Sequence, residues 1–320
     1  MRALWGLFVR LVTGVAVIVA MVVAGRWLSS VFQPKNNQAE FGMIEPAANG
    51  FLGEREGSID VLFVGDSEVY TSLSPMQMWG EHGFTSYDAA TAGQTLAYGN
   101  TLLKRALSRH HPRVVVFETN FLYKEYSISD GLFRLAADAL PVLEYHDRWK
   151  SLTPADLTIA PVTTWSDEHK GFRVNTNVSG ADTDGSVVVS DGVFAVPLKN
   201  RLRFHAMVER CRRHGAVPVL LSTPSLINWS MEKHNGIELL ARELDIRYLD
   251  LNLLKGTMGI DWRTETYDGG DHLNYGGAKK VSRYVGSYLA REFSLADNRQ
   301  NPTYESWNDT YARYLEHVRT

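Results

Sequence analysis

The feature that most limits the possible folds is an alternation of short apolar runs with longer amphipathic stretches along the chain. Each run contains several β-branched or other apolar residues in succession, as buried strands do. The predicted strands are Ile59–Val64, Val114–Phe117, Val217–Ser222 and Ile246–Leu249. The predicted helices are Thr95–His110, Lys199–His214, Glu232–Leu244 and Tyr275–Phe293. Because strands that alternate with helices build a parallel, doubly wound sheet, the sequence predicts an α/β fold.

The first predicted strand runs directly into Gly65, Asp66 and Ser67. In open α/β sheets, ligand chemistry gathers at the carboxyl ends of the strands, so a serine hydroxyl here is placed to act as a nucleophile. Ser and Asp are also favoured as helix N-caps, and a capping role for Ser67 therefore stays open.

A histidine with neighbouring carboxylates lies in a glycine-rich loop just before the last predicted helix. His272 has Asp271 directly before it and Asp268 four positions before it. A serine hydroxyl becomes a useful nucleophile when a base takes its proton and a further group holds the tautomer of that base. Ser67, His272 and one of the two aspartates are therefore candidates for a catalytic triad.

Two further positions are candidates for an oxyanion hole. Gly93 follows a short strand-like segment, and its backbone N–H can approach a substrate closely because glycine lacks a side chain. Asn120 follows the strand pattern Val114–Phe117, where its amide can point into the same cleft. Donors fixed where negative charge develops are often a large catalytic contribution. The alternatives are an ordinary turn glycine and an asparagine that stabilises a turn.

The order of these residues resembles the four sequence blocks of the SGNH/GDSL hydrolase superfamily. The resemblance rests on Gly65-Asp66-Ser67, Gly93, Asn120 and a carboxylate shortly before His272. It implies a three-layer, flavodoxin-like fold with a central parallel sheet. It also implies that Ser67 is the nucleophile, that Gly93 and Asn120 line the oxyanion hole, and that His272 is the base.

The candidate triad acid departs from the family pattern. The family usually carries its carboxylate three positions before the histidine, and here that position is Gly269. Asp268 and Asp271 both remain candidates. We favour Asp268, because the two adjacent glycines allow the loop to fold back, whereas Asp271 in an extended loop would point away from His272.

A second departure is Glu118, which stands where the family commonly has a glycine two residues before Asn120. A glutamate there either narrows that side of the cleft or faces solvent. The resemblance as a whole covers about residues 59–123 and 215–291, and it leaves the middle of the chain unexplained.

The N-terminus predicts a membrane anchor. The stretch Leu11–Gly25 is uncharged and apolar, and together with Leu4–Val9 it reaches about the length of a membrane span. Arg2 and Arg10 precede its core, which favours an N-terminus on the cytoplasmic side. We expect an uncleaved signal anchor at residues 1–32 and a single-pass protein of the cell membrane, with the rest extracytoplasmic. A signal peptide cleaved near Ala24 is the alternative.

The predicted organisation continues with a linker at 33–57, a hydrolase-like domain at 58–295 and a C-terminal tail at 296–320. An insertion at about 121–196 interrupts the strand–helix alternation, and insertions of this length usually form lids or binding surfaces. His146, Arg148 and Trp149 are predicted to bind a glycan or polyol phosphate there by stacking and charge. The alternative is a helical hairpin that caps the sheet.

These features predict a serine esterase or O-acyltransferase acting on acyl, above all acetyl, esters of a cell-envelope polysaccharide. The insertion also resembles SGNH proteins found beside membrane-bound O-acyltransferases, which implies such a partner. The alternatives are a non-catalytic accessory protein that keeps the fold, and a phosphate- or nucleotide-binding domain. The last has no G-x-G-x-x-G run in its favour. A net charge of −3 gives no reason to expect a nucleic-acid partner, and no spacing predicts a metal or cofactor.

Overall fold

The computed structural model describes residues 2–183 and 186–319. The chain forms two compact units. The first unit contains the residues up to Ile44 together with Ser127–Thr164, and the second contains Glu45–Tyr126 together with Trp165 onwards. The predicted insertion at 121–196 is therefore divided, because only its residues 127–164 belong to the first unit and the flanking parts belong to the second.

The second unit is built on one parallel sheet. Its strands are β1 (Val61–Gly65), β2 (Ser86–Ala90), β3 (Val114–Glu118), β4 (Val217–Ser222) and β5 (Arg247–Asp250). The strand order is β2-β1-β3-β4-β5, and every neighbouring pair is parallel. This is the flavodoxin-like order of a doubly wound sheet. The predicted α/β fold with a central parallel sheet is confirmed.

Helices cover both faces of this sheet. They are α2 (Pro46–Asn49), α3 (Ser67–Ser72), α4 (Pro75–His82), α5 (Leu96–Leu107), α7 (Leu198–Arg213), α8 (Met231–Leu244), α9 (Lys255–Met258), α10 (Tyr275–Glu292) and α11 (Glu305–His317). The first unit contributes α1 (Arg2–Phe32) and α6 (Ile128–Ala139). The four helices expected from the sequence begin and end within a few residues of the observed bounds.

Strand β1 shows how the sheet separates two cores. Side chains alternate between the faces of a strand. Leu62 and Val64 belong to the hydrophobic cluster that includes α5, α7, α8 and α11. Val61 and Phe63 belong to the cluster on the other face, which includes α3 and α10. The unit therefore has three layers, and the carboxyl end of β1 lies between two packed cores.

Part of the predicted linker is folded into the second unit. Phe51 is fully buried, and its ring meets Tyr87 of β2 edge to face with 5.8 Å between the centroids. The Tyr87 hydroxyl donates a hydrogen bond to the carbonyl of Ala47 at 2.8 Å. Residues 45–57 are therefore not a free spacer, because they contribute apolar side chains to the core beside the edge strand.

Within the predicted C-terminal tail, Glu305–His317 forms α11. Trp307 and Tyr314 are buried on its inner face, and the Trp307 ring lies 5.3 Å from that of Trp79 in α4. The Trp307 indole N–H donates to Glu54 Oε2 at 3.1 Å. The segment lies outside the strand–helix alternation, so its core contacts were not visible from that pattern.

The first unit contains the one helix in the described part of the chain that is long and apolar enough to cross a membrane. That stretch is Phe8–Phe32, with 25 residues and a mean hydropathy of 2.3. The length and composition agree with the predicted anchor, and they suit a signal sequence equally well.

Truncating Trp307 should destabilise the second unit. We expect Trp307→Ala to lower the free energy of unfolding by about 3–5 kcal/mol, because it removes a large buried side chain. Urea unfolding of the full chain in detergent, followed by circular dichroism, measures the change. Glu316→Ala, at an exposed position of the same helix, is the control. An equal effect of both substitutions would show that α11 is not part of the core.

Candidate active site

Ser67 lies just beyond the carboxyl end of β1, and its hydroxyl does not cap the helix that follows. Asp66 occupies the N-cap of α3, where its side chain accepts a hydrogen bond from the backbone N–H of Glu68 at 3.1 Å. Ser67 is therefore the first residue of the helix, and its hydroxyl remains available. The turn is tight, since a Cβ on Gly65 would lie 2.7 Å from the Cβ of Glu118.

The Ser67 hydroxyl meets His272. Ser67 Oγ lies 2.8 Å from His272 Nε2, and His272 Nδ1 lies 2.7 Å from Asp268 Oδ2. The second oxygen of Asp268 accepts the backbone N–H of His272 at 2.8 Å. With a proton on Nδ1, the ring donates to Asp268 and accepts from Ser67, which is the tautomer that a general base requires. The Tyr267 ring stacks on the imidazole at 5.7 Å and 10°.

The two glycines explain how a carboxylate four positions before His272 reaches its ring. Gly269 and Gly270 have φ values of +78° and +99°, a conformation that favours glycine. The Thr266 hydroxyl holds the resulting turn, because it accepts from the N–H of Gly270 at 2.9 Å and donates to the carbonyl of His272 at 2.7 Å. A Cβ on Gly270 would also lie 2.5 Å from Leu226. The loop therefore folds back as the sequence suggested.

Asp271 has different partners. Its Oδ2 lies 3.6 Å from His272 Nδ1, while its Oδ1 accepts a hydrogen bond from the Asn228 amide. The same amide donates to Glu68 Oε1 at 2.8 Å, and the Ser225 hydroxyl donates to the backbone carbonyl of Asp271 at 2.9 Å. Asp271 thus ties the histidine loop to the segment after β4, and Asp268 makes the shorter contact with the imidazole.

The two candidate oxyanion residues follow β2 and β3, the strands that lie on either side of β1. Gly93 is exposed with φ +60°, and among the described residues no group accepts its backbone N–H. The Asn120 amide donates to Asp66 Oδ2 at 2.9 Å, directly beside Ser67 in the sequence. The Asn120 backbone N–H donates to both carboxylate oxygens of Glu118, at 2.8 and 2.9 Å.

Glu118 does not face solvent, which corrects one of the two expectations for it. Only 2% of its surface is exposed, and its carboxylate binds the N–H of Asn120. Burial raises the pKa of Glu118 well above its usual range, and the nearby carboxylate of Asp66 adds to the effect. Glu118 therefore helps to hold Asn120 at the end of β3.

Glu118 belongs to a group of buried acids under Ser67 that the sequence analysis did not single out. Burial raises the pKa of Asp66, and the ammonium of Lys124, 3.5 Å from Asp66 Oδ2, opposes this shift. Burial also raises the pKa of Glu68 well above its usual range, with further contributions from Glu118 and Asp66. Glu68 follows Ser67 directly, but nothing in its sequence position indicated burial.

Tyr70 and Arg173 lie close to Ser67, and the sequence analysis did not single them out either. Tyr70 lies one helical turn after Ser67, and the guanidinium of Arg173 lies 4.2 Å from the centre of its ring. The backbone N–H of Arg173 donates to the carbonyl of Tyr70 at 2.8 Å. Burial raises the pKa of Tyr70, whereas Arg173 and the Ser67 hydroxyl lower it. Arg173 is exposed and makes no ion pair with any residue that the structure describes.

The predicted substrate-binding residues of the insertion lie in the first unit. Arg148 donates to the backbone carbonyls of Phe32 and Gln33 and pairs with Asp156 at 3.1 Å. His146 Nδ1 contacts a backbone carbonyl at 2.9 Å, and Trp149 is exposed. Arg148 therefore has a structural role within this unit, and glycan binding by the three residues stays a prediction.

One group of side chains has the composition of a metal site. Donor atoms of Glu68, Asp271 and His272 all lie within 4.8 Å of one another. However, the two ring nitrogens of His272 are already in contact with Ser67 and Asp268. The histidine therefore has no free nitrogen for a metal ion, and these residues do not fit a resident metal.

No protein-family model matches the chain, and no curated protein matches its sequence. Its fold is similar to several solved structures. A protein assigned to the lipolytic G-D-S-L family from Desulfitobacterium hafniense is 15% identical, with 72% of this chain and 98% of that chain covered and a TM-score of 0.38. The psychrotrophic esterase EstA from Pseudoalteromonas sp. is 11% identical, with 73% of this chain and 98% of that chain covered and a TM-score of 0.39. The acetyl xylan esterase AlAXEase is 14% identical, with 72% of this chain and 100% of that chain covered and a TM-score of 0.37.

Replacing the buried acid Glu118 should change how stability depends on pH. The folded chain favours protonated Glu118, whereas a glutamate in the unfolded chain ionises near pH ~4.3. Its stabilising contribution is therefore complete below that value and is lost as the pH rises towards the folded pKa. We expect the urea midpoint of the wild type to fall more steeply than that of Glu118→Gln as the pH rises above about 5.

Glu316→Gln, at an exposed position of α11, is the matched control and should keep the wild-type pH dependence. An unchanged slope in Glu118→Gln would contradict a protonated acid at the end of β3.

Proposed function

We propose that this chain is a membrane-anchored serine esterase or O-acyltransferase of the SGNH type, with Ser67 as its nucleophile. The observation that carries the proposal is the continuous line of contacts from Ser67 Oγ to His272 Nε2 at 2.8 Å and from His272 Nδ1 to Asp268 at 2.7 Å. A nucleophile and a base within hydrogen-bond reach, with the base oriented by a carboxylate, is the arrangement that activates a serine.

The reaction proceeds in two acyl-transfer steps. His272 takes the proton of Ser67 as its oxygen attacks the acyl carbonyl, and Asp268 stabilises the imidazolium that forms. The imidazolium then protonates the departing alcohol oxygen, which leaves an acyl group on Ser67. In the second step, His272 deprotonates water or a sugar hydroxyl, which attacks this acyl group. The imidazolium then returns the proton to Ser67 Oγ as the acyl–oxygen bond breaks, which releases a carboxylic acid or a new ester.

The oxyanion of each step is assigned to three donors: the backbone N–H groups of Ser67 and Gly93 and the side-chain amide of Asn120. The left-handed turn at Gly93 leaves its N–H unused, and Glu118 and Asp66 hold Asn120 in place. Removing one such donor typically costs about 10²–10³ in rate.

The substrate assigned to this site is an acylated, above all acetylated, polysaccharide of the cell envelope. The half-buried Tyr267 stacks on His272 close to the nucleophile, and an aromatic ring there suits the apolar side of a sugar ring. The exposed guanidinium of Arg173 adds a positive charge that suits an anionic glycan. We assign the protein to the cell membrane, with the second unit outside the cytoplasm and a membrane-bound O-acyltransferase as partner. The length and apolar composition of α1 support the membrane assignment.

A non-catalytic accessory protein is the alternative function. The departure of the triad acid from the family pattern favours this alternative. The contact between Asp268 and His272 counts against it, because a carboxylate still reaches the imidazole. The nucleotide-binding alternative relied on Ser67 as a helix cap, but Asp66 occupies the cap.

Ser67→Ala should abolish turnover of a small acetyl ester and covalent labelling by a fluorophosphonate, because the variant lacks the attacking oxygen. Label incorporation, measured by intact-protein mass spectrometry, locates the adduct. The exposed Ser108→Ala is the matched control and should retain both properties. Full labelling or turnover in Ser67→Ala would exclude this nucleophile, and no labelling of the wild type would favour the accessory function.

The two aspartates should differ in their effect on catalysis. We expect Asp268→Asn to lower kcat by roughly 10⁴, because an amide cannot hold the His272 tautomer that accepts a proton. Asp271→Asn should cost much less, since its carboxylate bonds to Asn228. Steady-state kinetics on an acetyl ester, with thermal melting to verify folding, compare the pair. A greater loss in Asp271→Asn would reverse the assignment of the acid.

A further inference from the structure

Helix α6 in the first unit has its apolar side chains on the outside. Ile128, Leu132, Phe133 and Leu135 are 74%, 62%, 50% and 45% exposed. The positions 128, 132 and 135 follow helical spacing, so they lie on one face. Among soluble proteins, a surface helix normally turns this face towards its own core. The exposed face of α6 therefore needs an apolar environment outside the protein chain.

The charged residues of α6 point the other way. Arg134 forms ion pairs with Asp138 at 3.3 Å and with Glu144 at 2.8 Å, and the side chains of all three are largely shielded. Gly131 and Ala137 are buried on the same inner side. Because the charges are paired inside the unit, the outward side chains beyond the first turn are apolar.

The segment after α6 packs against the C-terminal end of α1. The side chain of Leu140 approaches Gly25 so closely that a Cβ there would lie 3.1 Å away. The N–H of Val142 donates to the Ser29 hydroxyl at 3.3 Å. Arg148 donates to the backbone carbonyl of Phe32 at 2.7 Å. These contacts place the segment that follows α6 against the last two turns of the apolar helix.

This end of α1 corresponds to the surface region of a bilayer. The candidate span ends at Phe32, so the contacts at Gly25 and Ser29 lie within its last third. Trp27 and Trp149 are both exposed in the same unit, and tryptophan is enriched at membrane interfaces. The segment that follows α6 therefore contacts α1 at interfacial depth.

We propose that the outer face of α6 is a lipid-binding surface, which lies in the boundary between headgroups and acyl chains of the extracytoplasmic leaflet. An amphipathic helix with apolar residues on one face adopts this position parallel to the membrane plane. Lipid is favoured over a protein partner because the segment that follows α6 packs against the end of the membrane span and the face itself presents no charge beyond its first turn. The inference rests on the membrane anchoring assigned under the proposed function.

Depth-dependent fluorescence quenching tests this position. The natural Cys211 is the only cysteine and is buried, so a thiol-reactive fluorophore can be directed to Leu132→Cys in the full chain. The matched control is Leu239→Cys, at an exposed apolar position of α8 in the second unit. Val17→Cys, in the middle of α1, reports on the span itself. Each labelled protein is reconstituted in phosphatidylcholine vesicles that carry a spin-label quencher at a shallow or a deep acyl position.

We expect the label at Leu132→Cys to be quenched most by the shallow quencher, the label at Val17→Cys most by the deep quencher, and the label at Leu239→Cys by neither. Fluorophosphonate labelling of Ser67 in each variant shows that the fold is retained. All three positions are exposed, so the substitutions remove no core packing.

The outcomes separate the inference from the proposal on which it rests. If the label at Val17→Cys is quenched but that at Leu132→Cys is not, the anchor stands and the lipid-binding face is overturned. If the label at Val17→Cys is not quenched, the membrane anchor itself fails. A residue at position 132 that crosslinks to a protein in native membranes, without quenching in vesicles, would show that a membrane protein covers α6 and would also overturn the inference.

Discussion

A parallel sheet has to be covered on both faces, and this requirement brings Ser67 and His272 together. Helix α3 begins at the end of β1, and α10 packs beside it on the same face, where the Ser282 hydroxyl accepts the N–H of Ser74 at 2.8 Å. The N-cap of α10 is Asn274, so the loop before it ends next to the first turn of α3. The contact between the hydroxyl and the imidazole follows from this packing.

The site is surrounded by polar groups that a hydrophobic core would not tolerate without partners. Asp66, Glu68 and Glu118 are all buried near the end of β1 and β3, and each accepts a hydrogen bond from the protein. Their raised pKa values show that burial disfavours the charged forms. The arrangement is consistent with a site whose donors and acceptors are positioned at the expense of stability.

Sequence patterns predicted most of the second unit because parallel strands are buried on both faces and read as continuous apolar runs. They failed where the determining contact was distant in sequence. Trp307 is buried against Trp79 and Glu54, and no local sequence pattern predicts contacts with residues so distant in the chain. A glutamate is usually expected at the protein surface. Glu118 is buried instead, and its carboxylate accepts a hydrogen bond from the backbone N–H of Asn120.

The amino-acid sequence alone determined the α/β architecture and the apolar N-terminal helix, and it singled out Ser67 and His272 as candidates, because periodicity, turn residues and strand ends are local properties. Only the tertiary structure decided that Asp66 rather than Ser67 caps α3, that Asp268 approaches the imidazole more closely than Asp271, and that the apolar face of α6 is outward. These outcomes depend on backbone turns such as the one at Gly269 and Gly270 and on packing between distant segments. Neither has a signature within a short stretch of sequence.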